Sequence, residues 1–390
     1  MRRTMFIIIV TLCTGTCSTT LFAQSRHMQL LTPTTGWTIE DNHLFWTTDN
    51  GRRWSDITPG DPRTNSLASA FFLDTSSGWA VFGTPSGNDP DEGKWILAKT
   101  INSGTTWSTT PITVPELNET ARVVSVNHVF FLDSTQGWMN LSLESSSNFN
   151  LGVLLSTSDG GRTWTFVVRS PHITGQVYFL DAMNGWLAGG PGSSQLYATH
   201  DGGTTWLAVS LDPPGWHGQP SRVYDIPVFR DTHHGFEVVT YSGPDEPVSK
   251  VVLFVTADGG TTWQPQVTVP QLRNRGGQGP APSAVVSSTL VLADRIKDSI
   301  VLKQTTLGGD TTTAWAHVET PGGVLEISFV TPTRGWLLMQ QGVAVAILST
   351  IDGGNSWAQI TPHSPQHLKP VRHPLILKPN VAPNAVTPVR

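Results

Sequence analysis

A short segment that recurs along the chain constrains its fold more than any other feature. The segment is close to Thr-x-Asp-x-Gly-x-Thr-Trp, and we call it the Thr-Asp box. Six copies end at Trp54, Trp107, Trp164, Trp206, Trp263 and Trp357. Successive tryptophans lie 42–57 residues apart, except for one gap of 94 that contains a degenerate copy ending at Trp315. The chain is therefore predicted to contain seven repeats of one structural unit.

A second motif precedes most of the boxes and divides each repeat into strands. It consists of an aromatic stretch, an Asp and then a Gly-Trp pair. Clear copies occupy residues 71–79, 130–138 and 178–186, and variants occupy residues 30–37, 229–236 and 329–336. Strand A should end in the aromatic stretch, strand B should begin at Gly-Trp, strand C should lead into the box, and strand D should start at the box tryptophan. Each repeat is therefore predicted to form four short strands.

The composition supports an all-β fold. Only 14% of the residues are charged, and the chain holds 37 Gly, 28 Pro and 15 Trp, of which twelve fall in the two motifs. The many aromatic residues and a formal net charge of −5 exclude a disordered chain, and the lack of clustered Lys and Arg argues against nucleic-acid binding. Four strands in each of seven repeats match a β-propeller. The predicted fold is a seven-bladed β-propeller of four-stranded antiparallel blades over residues 24–361.

The residues of the box suit a structural role. Thr and Asp side chains hydrogen-bond to nearby backbone amides, and Gly adopts positive φ without a Cβ clash, so the box is predicted to close the hairpin between strands C and D. The residues assigned to this role are Asp49, Asn102, Asp159, Asp201, Asp258 and Asp352. A calcium loop needs several oxygen ligands and a distal Glu, whereas each box has at most one acid. We therefore predict neither a metal nor a cofactor.

The two motifs together resemble a known family. The box resembles the Asp-box repeat of bacterial neuraminidases, and its combination with the aromatic stretch and the Gly-Trp pair resembles the seven-bladed propellers of the photosystem II stability and assembly factor family. The resemblance covers residues 28–361. It implies a non-enzymatic propeller that binds a protein through arginines, but no repeated arginine position here matches that pattern. Asp boxes also occur in sialidases, xyloglucanases and sortilin-type receptors, so the resemblance specifies the fold more closely than the function.

Both ends of the chain differ from the repeats. Two arginines precede an apolar run at residues 5–12, which predicts a cleavable secretory signal peptide over residues 1–23. The run is too short for a transmembrane helix, while an uncleaved anchor and a lipoprotein modified at Cys17 remain as alternatives. The protein is thus expected to be secreted or extracytoplasmic, monomeric and without a membrane span after cleavage. Residues 362–390 are Pro-rich and basic, and we predict that they form a disordered tail.

The strand order divides the propeller into two faces. The A-to-B turns and the boxes should share one face, which we call the box face, and the B-to-C and D-to-A connections should form the opposite loop face. Long insertions are predicted on the loop face at residues 83–94, 109–124, 143–151, 211–225, 242–248 and 267–283. One-sided insertions often mark the binding face of a repeat fold, although neutral variation of surface loops gives the same pattern.

Several residues of these insertions are candidates for ligand binding. They are Trp216, His217, Arg222, Tyr224, Asp225, Asp245, Glu246, Arg273 and Arg275. Trp216 is the foremost candidate, because it lies outside both repeat motifs and an exposed tryptophan can anchor an interface or stack on a sugar. The alternative is that its ring folds back over the edge of a blade.

Two hypotheses about function follow. The first is a non-enzymatic propeller, secreted or exposed on the cell envelope, that binds a protein or a glycan through the loop face. The alternative is a sialidase-type glycoside hydrolase, which would need an arginine cluster and a tyrosine nucleophile. The tyrosines of the chain are Tyr178, Tyr197, Tyr224 and Tyr241. Three central arginines beside a tyrosine and a carboxylate would favour the sialidase hypothesis.

Overall fold

The computed structural model describes residues 27–84, 94–113, 123–144, 151–212, 220–243, 248–272, 280–296, 299–306, 312–319, 323–341 and 344–362. Within these residues the strands form seven antiparallel sheets, and the helical content is a single 3-10 turn at Pro191–Ser193. Each sheet is built from strands that are consecutive in the sequence. The chain is a seven-bladed β-propeller, as the spacing of the two motifs predicts.

The first four blades contain four strands each. Blade one holds β1 (Met28–Leu30), β2 (Gly36–Glu40), β3 (His43–Thr47) and β4 (Ser55–Asp56). Blade two holds β5 (Ser66–Phe72), β6 (Gly78–Gly83), β7 (Trp95–Thr100) and β8 (Ser108–Pro111). Blade three holds β9 (Val123–Phe131), β10 (Gly137–Leu143), β11 (Leu151–Thr157) and β12 (Thr165–Phe166). Blade four holds β13 (Gly175–Phe179), β14 (Gly185–Gly189), β15 (Gln195–Thr199) and β16 (Leu207–Ala208).

The last three blades repeat this order, with one interruption. Blade five holds β17 (Ser221–Tyr224), β18 (Val228–Phe229), β19 (Gly235–Ser242), β20 (Val248–Thr256) and β21 (Gln264–Leu272). Blade six holds β22 (Ser283–Val286), β23 (Thr289–Ile296), β24 (Ser299–Thr306) and β25 (Thr312–Glu319). Blade seven holds β26 (Gly323–Thr331), β27 (Arg334–Gln341), β28 (Ala344–Thr350) and β29 (Ala358–Gln359). Both β17 and β18 pair with β19, so strand A of blade five is split in two.

The Gly-Trp pair holds neighbouring blades together. Gly137 begins β10 and lies directly opposite Phe131 in the pairing with β9. A Cβ atom at Gly137 would lie 2.5 Å from the Phe131 ring, so only glycine fits at this position. The next residue, Trp138, stacks on Phe179 of the following blade with 3.6 Å between ring centroids. Trp79 stacks on Phe131 in the same way at 3.8 Å. This packing explains why the motif recurs in six of the seven blades, blade six being the exception.

The box closes the C-to-D hairpin as predicted. In blade three, the Thr157 hydroxyl donates to Asp159 at 2.8 Å and accepts the Gly161 amide at 3.0 Å. Asp159 accepts the amides of Arg162 and Thr163 and the Thr163 hydroxyl. These hydrogen bonds, led by that of the Thr163 hydroxyl, hold the pKa of Asp159 below its usual range. The same bond from the box threonine is accepted by Asp49, Asn102, Asp201, Asp258 and Asp352.

The contribution of the box to stability can be tested by replacing its acid. We expect Asp159→Ala to lower the free energy of unfolding by about 1–3 kcal/mol, because several donors lose a charged acceptor. Asp159→Asn should lower it less, since Asn102 in blade two accepts the Thr106 amide at 2.9 Å and donates to its hydroxyl at 2.9 Å. Chemical denaturation of both variants beside the wild type measures the difference. Equal losses in the two variants would contradict the hydrogen-bond account.

The turns and boxes share one face, in agreement with the strand order. The Gly160 amide in the box of blade three donates to Thr135 in the A-to-B turn at 2.8 Å. The Gly202 amide in blade four donates in the same way to Met183 at 2.9 Å. The B-to-C and D-to-A connections therefore start and end on the opposite, loop face.

The insertions predicted on the loop face are shorter than expected. The predicted insertions at 109–124, 211–225 and 267–283 each include residues that pair in a sheet. In particular, β8 continues to Pro111, β17 begins at Ser221, and β21 continues to Leu272. Sequence reasoning missed these extensions because they carry no repeat motif. The true connections on the loop face are correspondingly reduced.

The first and last blades close the ring through side chains. Within the described residues, no blade combines strands from both ends of the chain. The His27 amide donates to the Glu326 carboxylate at 2.9 Å. The Trp336 indole donates to the Asn50 side chain at 2.8 Å, and its ring lies 5.6 Å from that of Trp54. Closure in this part of the chain therefore needs no strand from the predicted tail.

The two predicted terminal segments are not tested by the fold. The signal peptide over residues 1–23 and residues 363–390 of the tail lie outside the described residues. Among the residues that the structure does describe, none of the helical segments is long and apolar enough to cross a bilayer. Cleavage, lipidation and secretion therefore stay predictions.

Candidate binding site in the central channel

Three of the nine predicted ligand-binding residues lie in the described part of the chain. They are Arg222, Tyr224 and Asp225. The other six lie outside the described residues, namely Trp216, His217, Asp245, Glu246, Arg273 and Arg275. The structure corrects the placement of Arg222 and Tyr224, which lie on β17 and pair with β19. Sequence analysis placed them in a loop because Ser221–Tyr224 carries no repeat motif.

Arg222 and Tyr224 anchor the connection that leaves blade four. Arg222 forms an ion pair with Asp212. Tyr224 is only 3% exposed, and its hydroxyl accepts the Leu211 amide at 3.4 Å. Tyr241 is fully buried on β19 and donates its hydroxyl to the Leu211 carbonyl at 2.5 Å. The prediction that Tyr224 lies in a loop on the binding face is therefore wrong, because its ring packs in the core between blades four and five.

This cluster is unlike a sialidase centre. Burial raises the pKa of both Tyr224 and Tyr241. Both phenols therefore stay protonated and are poor nucleophiles. Within the described residues, Arg222 is the arginine whose charge acts on the two tyrosines. Around Tyr224 and Tyr241, the described residues therefore place one arginine, Arg222, where the sialidase hypothesis needs three.

A buried carboxyl group lies close to the same cluster. Glu237 on β19 is 1% exposed, and the Asp225 amide is the backbone donor that lies near its carboxyl group. Burial, followed by the negative charge of Asp225, raises the pKa of Glu237 well above its usual range, which favours the neutral acid. Sequence reasoning missed this residue. Its signal is an acid within the otherwise apolar core segment that follows Gly235.

A cavity of about 210 Å³ lies in the central channel of the propeller. The first strands of neighbouring blades contact one another, so the first strand of each blade is innermost. The wall of the cavity is formed mainly by the innermost strands of blades one, four, five, six and seven. One residue from each of these blades is, in that order, His27, Gln176, Asp225, Ser283 and Glu326. Asp225 is therefore the predicted site residue that the structure places in a cavity.

Carboxyl groups dominate the charge of this cavity. The ionisable side chains among its described lining residues are His27, Asp225 and Glu326, and none is Lys or Arg. Burial lowers the pKa of His27, which favours the neutral imidazole. Asp225 accepts the Ile226 amide at 2.8 Å, and Glu326 accepts the His27 amide at 2.9 Å. Backbone donors thus fix both acids in the wall.

An arc of aromatic rings links the innermost strands of blades two to five. Its members are Phe71, Phe130, Tyr178 and Phe229. Successive ring centroids lie 5.2, 5.2 and 6.0 Å apart, within the range at which aromatic rings attract each other. The arc joins these blades by apolar contacts, whereas the acids of the cavity come from blades five and seven.

The comparison of the sequence with known proteins gives a partial match. No protein-family model matches the chain. The photosystem II assembly lipoprotein Ycf48 of Synechococcus sp. (strain CC9902) is 25% identical to it over 127 residues. The match covers 31% of this chain and 32% of the relative, so it spans about a third of the relative's length.

Solved structures share the fold over most of the chain. A structure of YCF48 bound to D1 peptide has a TM-score of 0.54 at 19% identity, covering 84% of this chain and 93% of that one. The GH74 xyloglucanase from Xanthomonas campestris has a TM-score of 0.53 at 14% identity, and the match covers 85% of this chain and 52% of the xyloglucanase. A PL25 ulvan lyase has a TM-score of 0.51 at 11% identity, and the match covers 88% of this chain and 94% of the lyase. The chain is therefore Ycf48-like in its propeller fold and in one stretch of sequence, and enzymes acting on polysaccharides share that fold.

Proposed function

We propose that the protein is a non-enzymatic propeller that binds a segment of a partner protein at its central channel, entered from the loop face. The observation that carries the proposal is the cavity of about 210 Å³, whose wall combines apolar and acidic residues of several blades. Binding pockets generally combine apolar walls with a few fixed polar groups. His27 and Pro280 line the cavity just before β1 and β22, where innermost strands begin on the loop face.

A polypeptide suits this cavity better than an oligosaccharide. Sites that enclose drug-sized ligands measure about 300–1,000 Å³, and this cavity is smaller. It therefore suits one side chain whose backbone crosses the mouth of the channel. The YCF48 structure of similar fold is bound to a D1 peptide, which supports a polypeptide as the class of ligand.

The proposed place of action is outside the cytoplasm. The proposal includes removal of residues 1–23 as a signal peptide, based on the charged start and the short apolar run of that segment. The mature protein would then act as a monomer, because one propeller already supplies the complete ring. Both cysteines, Cys13 and Cys17, would leave with the signal peptide, so binding would not depend on thiol chemistry.

Peptide display on the wild type and two variants tests the proposed site. Val228→Trp places a large ring at a cavity-lining residue that is 44% exposed. Val168→Trp is the matched control, since it makes the same change at a valine that is 85% exposed and does not line the cavity. We expect peptides selected from a random linear library to bind Val228→Trp at least ~10-fold more weakly than the wild type, about 1.4 kcal/mol. Val168→Trp should bind them as the wild type does.

Fluorescence anisotropy with the selected peptides measures these affinities, and a glycan array is run in parallel. Circular dichroism and thermal unfolding establish that both variants fold. Equal binding of the peptides to all three proteins would place the site elsewhere and contradict the proposal. Binding to glycans with no selected peptide would replace the proposed partner class by a glycan.

A further inference from the structure

We propose that the central cavity recognises an aromatic side chain, Phe, Tyr or Trp, of the partner segment. This inference rests on the proposed function and specifies the chemistry of the partner. It is supported by the positions at which the channel lacks aromatic rings, by the size of the cavity, and by the apolar side chains that line it.

One position of the innermost strands differs between the two sides of the channel. It lies opposite the Trp of the Gly-Trp pair or, in blades five and six, opposite Phe236 and Leu290. We call it the inner position, and from blade one to blade seven its residues are Gln29, Phe71, Phe130, Tyr178, Val228, Val285 and Ser328. Blades two, three and four thus carry an aromatic ring there, whereas the other four blades do not.

The cavity lies on the side where these rings are missing. Val228, Val285 and Ser328 all line it, whereas the three aromatic residues of the inner position are not among its described lining residues. On the aromatic side, the ring centroids of neighbouring blades lie 5.2 Å apart at both contacts. A ligand ring in the cavity would therefore continue this series of rings at the level where the protein supplies only Val and Ser.

The size and lining of the cavity suit one aromatic ring. The cavity measures about 210 Å³, and an apolar cavity of about 150 Å³ in another protein binds benzene. Phe236 and Phe329 line the cavity together with Val228 and Ile327, so a bound ring has both aromatic and aliphatic neighbours. Aromatic rings attract each other at centroid distances of about 4.5–7 Å, and burial of a Phe side chain can raise affinity by about 10- to 100-fold.

The polar groups of the wall are bonded to the chain itself. The Ser328 hydroxyl accepts the Leu30 amide at 3.1 Å, and the carboxyl groups of Asp225 and Glu326 also accept backbone amides. Buried polar groups need such partners, and the propeller supplies them before any ligand arrives. A ligand ring can therefore bind by apolar contact with the rest of the wall.

The first experiment changes the ligand and leaves the protein as it is. In each peptide selected on the wild type, one aromatic residue at a time is replaced by Ala and, separately, by Leu. We expect one position at which Ala weakens binding at least ~10-fold. At that position Leu should weaken binding by ~2- to 10-fold, because it keeps apolar area and loses the contacts between rings. Misfolding of the propeller cannot produce this result.

The second experiment assigns the effect to the cavity. Val285→Phe gives blade six the residue that blades two and three carry at the inner position, so the fold should accept it. Val168→Phe is the matched control, since this valine is 85% exposed and does not line the cavity. We expect Val285→Phe to bind the aromatic peptide at least ~10-fold more weakly and its Ala version unchanged, which a double-mutant cycle reports as coupling. The control should bind both peptides as the wild type does.

A small probe tests the cavity without a peptide. Ligand-observed NMR should show that 4-methylphenol, the side chain of tyrosine, binds the wild type and Val168→Phe but not Val285→Phe. An excess of n-butylamine, the side chain of lysine, should not displace it. Circular dichroism establishes that both variants fold. Equal binding of 4-methylphenol to all three proteins, or its displacement by n-butylamine, would contradict a cavity that selects a ring.

The outcomes separate this inference from the proposed function. Selected peptides that need no aromatic residue, or that bind equally well with Leu in its place, would overturn the aromatic site and leave the peptide-binding function in place. A required aromatic residue that shows no coupling to Val285→Phe would also overturn the assignment to this cavity. Failure of the wild type to select any peptide would contradict the proposed function, while loss of 4-methylphenol binding in Val285→Phe would still support the aromatic site.

Discussion

Replacing Trp336 by alanine should lower the free energy of unfolding by about 3–5 kcal/mol. The side chain is fully buried between the last and the first blade. Its ring lies 5.6 Å from that of Trp54, and its indole donates to Asn50 at 2.8 Å. Gly36 lies directly against it, since a Cβ there would be 2.5 Å from the Trp336 ring. The loss should be large because only side-chain contacts join these two blades: within the described residues, they share no sheet.

Trp138→Ala is the matched control for this prediction. Trp138 stacks on Phe179 at 3.6 Å between blades three and four, which the chain itself connects. Chemical denaturation measures both losses, and hydrogen exchange shows where each variant opens. We expect Trp336→Ala to lower protection in β1–β3 and β26–β28, and Trp138→Ala to lower it in blades three and four. A loss below about 1 kcal/mol for Trp336→Ala, or unchanged exchange in blade one, would contradict its role in closing the ring.

The blades are predictable from the sequence because their determinants are close together along the chain. The Thr157 hydroxyl accepts a hydrogen bond from the Gly161 amide within one hairpin. Gly137 and Phe131 face each other across the single turn between β9 and β10. Each of these contacts restricts a residue type at a fixed spacing, so similar blades leave similar patterns in the sequence, weakest in blade six with its degenerate box. The number of blades and their strand order follow from those patterns.

The candidate site is less predictable because its residues come from different blades. Asp225 was identifiable as a polar residue near the loop face, but nothing in the sequence pairs it with Glu326, which lies in blade seven. Their common cavity depends on how the innermost strands meet in the channel. Tyr224 is the opposite case. Its segment carries no motif, so the sequence predicts a loop, but the side chain lies in the core. Long-range packing decides both cases.

Two buried acids should make the protein less stable as the pH rises. Glu237 has a raised pKa because of burial and then the charge of Asp225, so the folded protein keeps a proton that the unfolded chain releases. Its contribution to stability is complete below the ordinary pKa of Glu and is lost as the pH rises through the folded-state pKa, at up to about 1.4 kcal/mol per pH unit. Burial, followed by the charge of Asp41, raises the pKa of Glu40 to about 7. Glu40 therefore acts in the same direction, from its ordinary pKa up to about pH 7.

Denaturation curves of the wild type, Glu40→Gln and Glu237→Gln across this range should separate the two acids. Glu40→Gln should remove the part of the decline that ends near pH 7. Glu237→Gln should remove a second part, because burial raises the pKa of Glu237 well above its usual range. Box acids such as Asp159 have lowered pKa values, so their contribution is kept above their ordinary pKa and lost only on the acid side. They cannot produce a decline toward alkaline pH. Parallel curves for the wild type and Glu237→Gln would mean that Glu237 ionises as readily in the folded protein as in the unfolded chain, and would contradict the burial argument.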